Sequence, residues 1–144
     1  MITVQHVLNE KGRKVHHVAP GSRVLDALRL MAEQNVGALV VSNEGHLSGI
    51  FTERDYARKI VLMGRTSLDT PVSEVMSKRV ICARPDQTVE ECLAIMTART
   101  VRHLPVLDRK TVVGIVSIGD LVKAIIADKE FIIEQLEHFI QGDR

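Results

Sequence analysis

At 144 residues, with 45% hydrophobic and 26% charged side chains, the chain has the size and balance of a globular protein. A net charge of +1 with both signs interspersed gives no electrostatic footprint for nucleic acid, and no apolar run approaches the ~18 residues of a membrane span. Met1 to Lys14 lacks an apolar stretch beside a small-residue cleavage site, so neither a membrane partner nor a secretion signal is expected and the chain is read as cytoplasmic. Cys82 and Cys92 have no Cys or His pair at metal-ligand spacing and read as reduced, buried thiols, so no metal site is expected.

In chain order, Val4, Val7 and Leu8 mark a short helix. Ser22 is placed as the N-cap of a second helix whose stripe is Val24, Ala27, Leu28 and Met31. Ala38 to Ser42 and Leu47 to Thr52, divided by Asn43-Glu44-Gly45, form a hairpin, and a helix follows from Glu53 to about Met63. The connector from Gly64 to Pro71 is polar and ends in proline. The same order then returns. Val72, Val75 and Met76 repeat the short helix; Thr88 and Glu91 spell a capping box ahead of the stripe Val89, Cys92, Leu93 and Met96. His103 to Leu107 and Val112 to Ser117 make the second hairpin around Asp108-Arg109-Lys110, and Ile118 to about Ala127 the closing helix. Both hairpins read nearly apolar throughout, as strands covered on both faces do. The last stripe runs on through Ile125, Lys129, Ile132, Leu136, Phe139 and Ile140 toward a Gly142 C-cap, so this face covers either its own domain or a second subunit.

At a constant offset of 65, residues 20–55 match residues 85–120 at ten of 36 positions, among them Val24/Val89, Met31/Met96, Leu39/Leu104, Gly49/Gly114 and Asp55/Asp120, where composition alone gives roughly two. The leading helices match at offset 68, which assigns three extra residues near Glu10 to Arg13 to a longer loop. Two copies are too few for a solenoid. They predict paired half-domains about a pseudo-twofold axis with matching clefts where they meet: residues 1–66, 67–128, and a helical extension over 129–144.

The chemistry-bearing runs lie where strand becomes helix, Gly49-Ile50-Phe51-Thr52-Glu53-Arg54-Asp55 and Gly114-Ile115-Val116-Ser117-Ile118-Gly119-Asp120. A hydroxyl at a helix start suits a phosphate, a carboxylate one turn on can accept both hydrogen bonds of a ribose diol, and a glycine lets a flat ring approach the backbone. The competing reading is plain capping, Thr52 with Asp55 and Ser117 with Asp120 each stabilising a helix end by ~1 kcal/mol.

The doubled pattern of glycine, two hydrophobic residues, Thr or Ser, two variable residues and Asp resembles the tandem cystathionine β-synthase (CBS) domain pair, or Bateman module, in its stand-alone two-repeat form. The run Arg102-His103-Leu104-Pro105-Val106 is similar to the strand that precedes the motif in that family, and the likeness extends from about Thr3 to Asp128. The resemblance implies an α+β fold of two βαββα-type repeats packed with pseudo-twofold symmetry, to which the apolar stripe beyond Ala127 adds an extended C-terminal helix. It implies a non-enzymatic regulatory module binding AMP, ADP, ATP or NAD in clefts between the repeats, assembled as a homodimer and signalling to an unknown effector protein. Asp55 and Asp120 would hold ribose, with Thr52 and Ser117 as hydroxyl partners. Arg102, assisted by His103, would hold phosphate, and Ile81, Leu104 and Pro105 would flank adenine. Arg58 and Lys123 align on the second helices and would add charge, although exposed helix cations are commonly only solvated.

The first copy departs from the second: Gly37 stands where Arg102 does, and Glu53 would repel a phosphate unless Arg54 neutralises it. The second site is therefore expected to be the competent mononucleotide site, and the first to be weaker or to take a different ligand such as a dinucleotide. The sequence offers no phosphate loop, nucleophile elbow or metal motif, and the enzyme that stays open, a hydrolase built from His103 and an Asp, would need a nucleophile or metal besides. An adaptor with degenerate, empty clefts is the alternative.

Overall fold

The computed structural model describes residues 1–140, apart from the side chain of Phe139; the expected Gly142 cap and the place of Phe139 in the last stripe lie outside the described residues. The elements are α1 (Val4–Lys11), β1 (His17–Val18), α2 (Val24–Gln34), β2 (Ala38–Asn43), β3 (His46–Thr52), α3 (Glu53–Asp55) running into a π-helical turn (Tyr56–Val61), a 3₁₀ turn (Val72–Glu74), α4 (Val89–Arg99), β4 (His103–Asp108), β5 (Thr111–Ser117) and α5 (Ile118–Ile140). The fold is thus α+β, built on two copies of one unit and carrying a long C-terminal helix.

Two compact units form. One holds Lys14–Ile81 with Arg109–Val113, the other Met1–Arg13, Cys82–Asp108 and the chain from Gly114. The short leading helix of each sequence copy therefore belongs to the unit built around the other copy's hairpin: α1 sits with β4 and the motif strand end of β5, and the 3₁₀ turn with β2 and β3.

In the first-hairpin unit, β1 pairs parallel with β2, which pairs antiparallel with β3 in register Val40↔Ile50, and a bulge falls between Val41 and Ser42. Val24, Ala27 and Met31 of α2 pack with Leu39, Val41 and Phe51 of the sheet, and Val72 and Val75 of the 3₁₀ turn close the same core. Their counterparts 65 residues on, Val89, Cys92, Met96, Leu104, Val106 and Val116, are all buried in the other unit, beside Val4, Val7 and Leu8 of α1. One pattern has made one core twice, each side chain contributing about 25 cal/mol per Å² of apolar surface removed from water. There the β1–β2 pairing shrinks to a single parallel bridge, Ala83↔Val106.

Three local expectations are corrected. Ser22 is not the cap of α2: Arg23 is, with no side-chain cap bond, because linker carbonyls satisfy the first amides, Thr70 from Val24 N at 2.9 Å and Ser67 from Leu25 N at 3.0 Å. At α4, Thr88 does accept from Glu91 N (3.1 Å), but the Glu91 carboxylate accepts from the Thr88 hydroxyl (3.2 Å) and not from the cap's backbone amide, so the box is half formed. The extra residues near Glu10 are not all loop, since α1 continues through Lys11 before Gly12 turns it at φ +101°. α5 is continuous through the 118–140 stretch, and Ile126, Phe131, Ile133 and Ile140 on it are exposed.

Candidate functional site

The two motif aspartates occupy different surroundings. Asp55 is buried, its side chain 8% exposed, and each of its oxygens accepts two hydrogen bonds. Oδ2 takes the Thr52 amide (3.0 Å) and hydroxyl (3.1 Å). Oδ1 takes the Ser77 hydroxyl (3.1 Å) and the Lys59 ammonium (3.1 Å). Asp55 N returns a bond to Thr52 Oγ1 at 3.2 Å, so hydroxyl and carboxylate cap the helix reciprocally, as the capping reading held. Lys59 lies four residues on, on the same side of its helix, and also donates to the Val75 carbonyl at 3.0 Å. The depression beside Glu53, about 300 Å³ with Leu28, Met31, Asn35 and Gly37 in its wall, has no Lys or Arg lining it.

Asp120 makes the same reciprocal cap, accepting from Ser117 N at 2.8 Å while its own amide donates to Ser117 Oγ at 3.1 Å. Here the resemblance between the copies stops. Where Lys59 follows Asp55, Ala124 follows Asp120, and the cation instead comes from α1: Lys11 Nζ reaches Asp120 Oδ2 at 2.5 Å and the Ile115 carbonyl at 2.7 Å. Both bonds to the carboxylate go to Oδ2, and Oδ1 accepts none among the described residues. Burial pushes the Asp120 pKa up, but the hydrogen bonds and charge of Lys11 and the Ser117 amide more than offset it, and the net shift is downward. The group is an anion at neutral pH.

Asp120 and Lys123 both line a cleft of about 1000 Å³ between α1 and α5, whose apolar wall includes Ile2, Val7 and Ala127. That volume admits a ligand of nucleotide size, with one charged edge and one apolar wall. Ser117 is half-buried next to it. Arg102, His103, Leu104 and Pro105 are not among its lining residues: Arg102 is exposed and its carbonyl accepts Ile118 N at 2.9 Å, while Leu104 and Pro105 are buried in β4. Ile81 and the exposed Arg58 belong to the first-hairpin unit, as does the half-buried Arg54. No three His, Cys, Asp or Glu side chains gather as metal ligands among the described residues.

The motif glycines have a packing role. A β-carbon on Gly114 would stand 2.6 Å from Leu8 Cδ2, and one on Gly49 would stand 2.7 Å from Met76 Sδ and 2.8 Å from the Ser77 carbonyl oxygen. Leu8 and Met76 are equivalent at offset 68, so each glycine makes room for the same residue of a leading helix. A repeat-to-repeat comparison of the sequence could have paired these positions; nothing in it tied Lys11 to Asp120, 109 residues away.

The model of the "CBS domain" family matches residues 4–62 and again 72–127. The chain is 38% identical over 153 aligned positions, spanning 97% of itself and 72% of the relative, to "CBS domain-containing protein CBSX3, mitochondrial" of Arabidopsis thaliana. A putative signal-transduction protein with CBS domains from Burkholderia ambifaria superposes with a TM-score of 0.85 at 47% identity, over 88% of this chain and 95% of that one. The CBS domain pair of protein MJ0100, solved with 5′-methylthioadenosine and S-adenosyl-L-methionine, shares the fold with a TM-score of 0.78 at 23% identity, over 89% and 98% of the two chains.

Proposed function

Because the chain belongs to the CBS-domain family, whose paired repeats are regulatory, we propose that it is a non-enzymatic module that binds an adenosine derivative at Asp120 and passes the event to another protein. The observation that carries this reading is the Asp120 carboxylate, ionised, with an uncommitted oxygen, at the edge of a cleft of nucleotide size. Binding of methylthioadenosine and S-adenosylmethionine by a protein of the same fold supports the ligand class. The two cations at the charged edge, Lys11 and Lys123, favour an adenosine derivative that carries phosphate, as AMP, ADP, ATP and NAD all do. Asp55, saturated by its own surroundings, is read as structural, which leaves the second-copy site as the competent one.

Self-association is the second part of the reading. Ile118, Val122, Ile125, Lys129, Ile132 and Leu136 follow one another on α5 at spacings of four and three, the seam of a paired helix, and Ile118, Val122, Ile132 and Leu136 are exposed. A homodimer through this face would couple two clefts, and a ligand shifts such a pair only as far as it prefers one arrangement. No described helix is long and apolar enough to cross a membrane. Both cysteines are free, and burial lifts the Cys92 pKa to about 11, which makes that thiol unreactive at neutral pH.

Isothermal titration of the purified protein with AMP, ADP, ATP, NAD and S-adenosylmethionine, with chromatography of the ligand afterwards, tests the proposal. Saturable binding without turnover, weakened about tenfold or more in Asp120→Ala, is expected. Absence of binding by every ligand would favour the adaptor, a reading to which the Lys11–Asp120 pair lends support, and consumption of ligand would mean an enzyme.

A further inference from the structure

Resting on the reading of Asp120 as a ribose acceptor, we propose that Lys11 is the residue by which this cleft selects phosphorylated adenosine derivatives over the bare nucleoside. A ribose diol grips a carboxylate through both oxygens, and one of them, Oδ2, already holds the Ser117 amide and the Lys11 ammonium. The Ser117 amide belongs to the strand-to-helix junction and cannot leave without uncoiling it. Lys11 can leave. It sits on a flexible four-carbon stem, is one-third exposed, and is anchored to a different helix from the carboxylate it pairs with.

A diol that takes Oδ2 therefore displaces an ammonium, and a ligand that offers nothing in return leaves that charge unpaired in a partly desolvated cleft. A phosphate ester brings its own anion. Asp128 and Glu10 also line the cleft, but the ion pair that Lys11 makes is with Asp120, and Glu10, its neighbour on α1, projects about 100° away around the helix. Lys123, three residues after Asp120 on the same side of α5, lines the same cleft, so a phosphate beside the ribose meets cations from both helices. The first copy has no such exchange, because Lys59 shares a helix with buried Asp55 and is held there by the Val75 carbonyl.

Titration of the full chain and of Lys11→Met, Lys11→Arg and Lys123→Ala with AMP and with adenosine tests this. The unsubstituted protein is expected to prefer AMP by about tenfold or more. Lys11→Met should weaken AMP about fivefold and strengthen adenosine about twofold, collapsing the preference, and Lys11→Arg should retain it. A gain in adenosine affinity cannot come from a misfolded variant. An unchanged preference in Lys11→Met, or one abolished by Lys123→Ala alone, overturns the role of Lys11 and leaves the Asp120 reading standing. If neither ligand binds the unsubstituted protein, the Asp120 reading falls and Lys11 with it.

Discussion

Gly49 and Gly114 hold the same place in the two copies, yet alanine at each meets different resistance. At Gly114 the new methyl would fall within 2.6 Å of Leu8 Cδ2, with Leu8 Cδ1 and Cγ at 3.0 and 3.3 Å, all atoms of one buried side chain that must repack, with no backbone atom among them. At Gly49 it would fall 2.7 Å from Met76 Sδ, which can also move, and 2.8 Å from the Ser77 carbonyl oxygen, which cannot. That carbonyl accepts Ile50 N at 3.0 Å while Ser77 N donates to Ile50 O at 2.8 Å, so moving it breaks a paired bridge. Overpacking alone costs about 1–3 kcal/mol, and a lost bridge bond adds about 1. We expect about 3 kcal/mol for Gly49→Ala and about 1 for Gly114→Ala, or melting points lower by about 6–12 °C and 2–4 °C. Thermal unfolding followed by circular dichroism without ligand reads both. A glycine kept only to let a base approach would be neutral in that assay; neutrality, or a larger loss at Gly114, refutes the packing argument.

Asp55→Ala should destabilise the fold by about 2 kcal/mol, because it strands the Thr52 and Ser77 hydroxyls and frees Lys59, whereas Asp120→Ala, at a partly exposed position, should lower the urea midpoint by less. With its pKa below the usual value of 3.8, Asp120 contributes stability that is fully present above about pH 4 and disappears as pH falls through its folded pKa; Lys11→Met should flatten that acid limb in a pH series of urea melts. The turn Arg109-Lys110 holds φ values of +50° and +68°, where the matching turn has Glu44-Gly45, so Lys110→Gly should raise stability by about 0.5–1 kcal/mol in the same melts.

Periodicity and the internal repeat made the hairpins and the long helices legible, because the side chains that define them touch neighbours a few residues away. The 65-residue offset also carried the core, since Val24/Val89 and Leu39/Leu104 are buried in both copies. What it could not carry were contacts that cross the repeat. Ser22 looked like a cap because nothing local revealed that Thr70 and Ser67 would take the amides of α2. The pairing of Lys59 with Asp55 was open to view at i, i+4, but Lys11 resembles any exposed helix lysine until α1 is set beside α5. The π-helical turn at Tyr56–Val61, with Leu62 N on the Ala57 carbonyl, has no marker in the sequence.

A crystal structure of the protein with AMP tests the central claim most directly. Both ribose hydroxyls are expected within about 2.5–3.0 Å of the Asp120 carboxylate, with the Lys11 ammonium moved from Oδ2 to the phosphate. AMP bound elsewhere, with Lys11 still on Asp120, would contradict it.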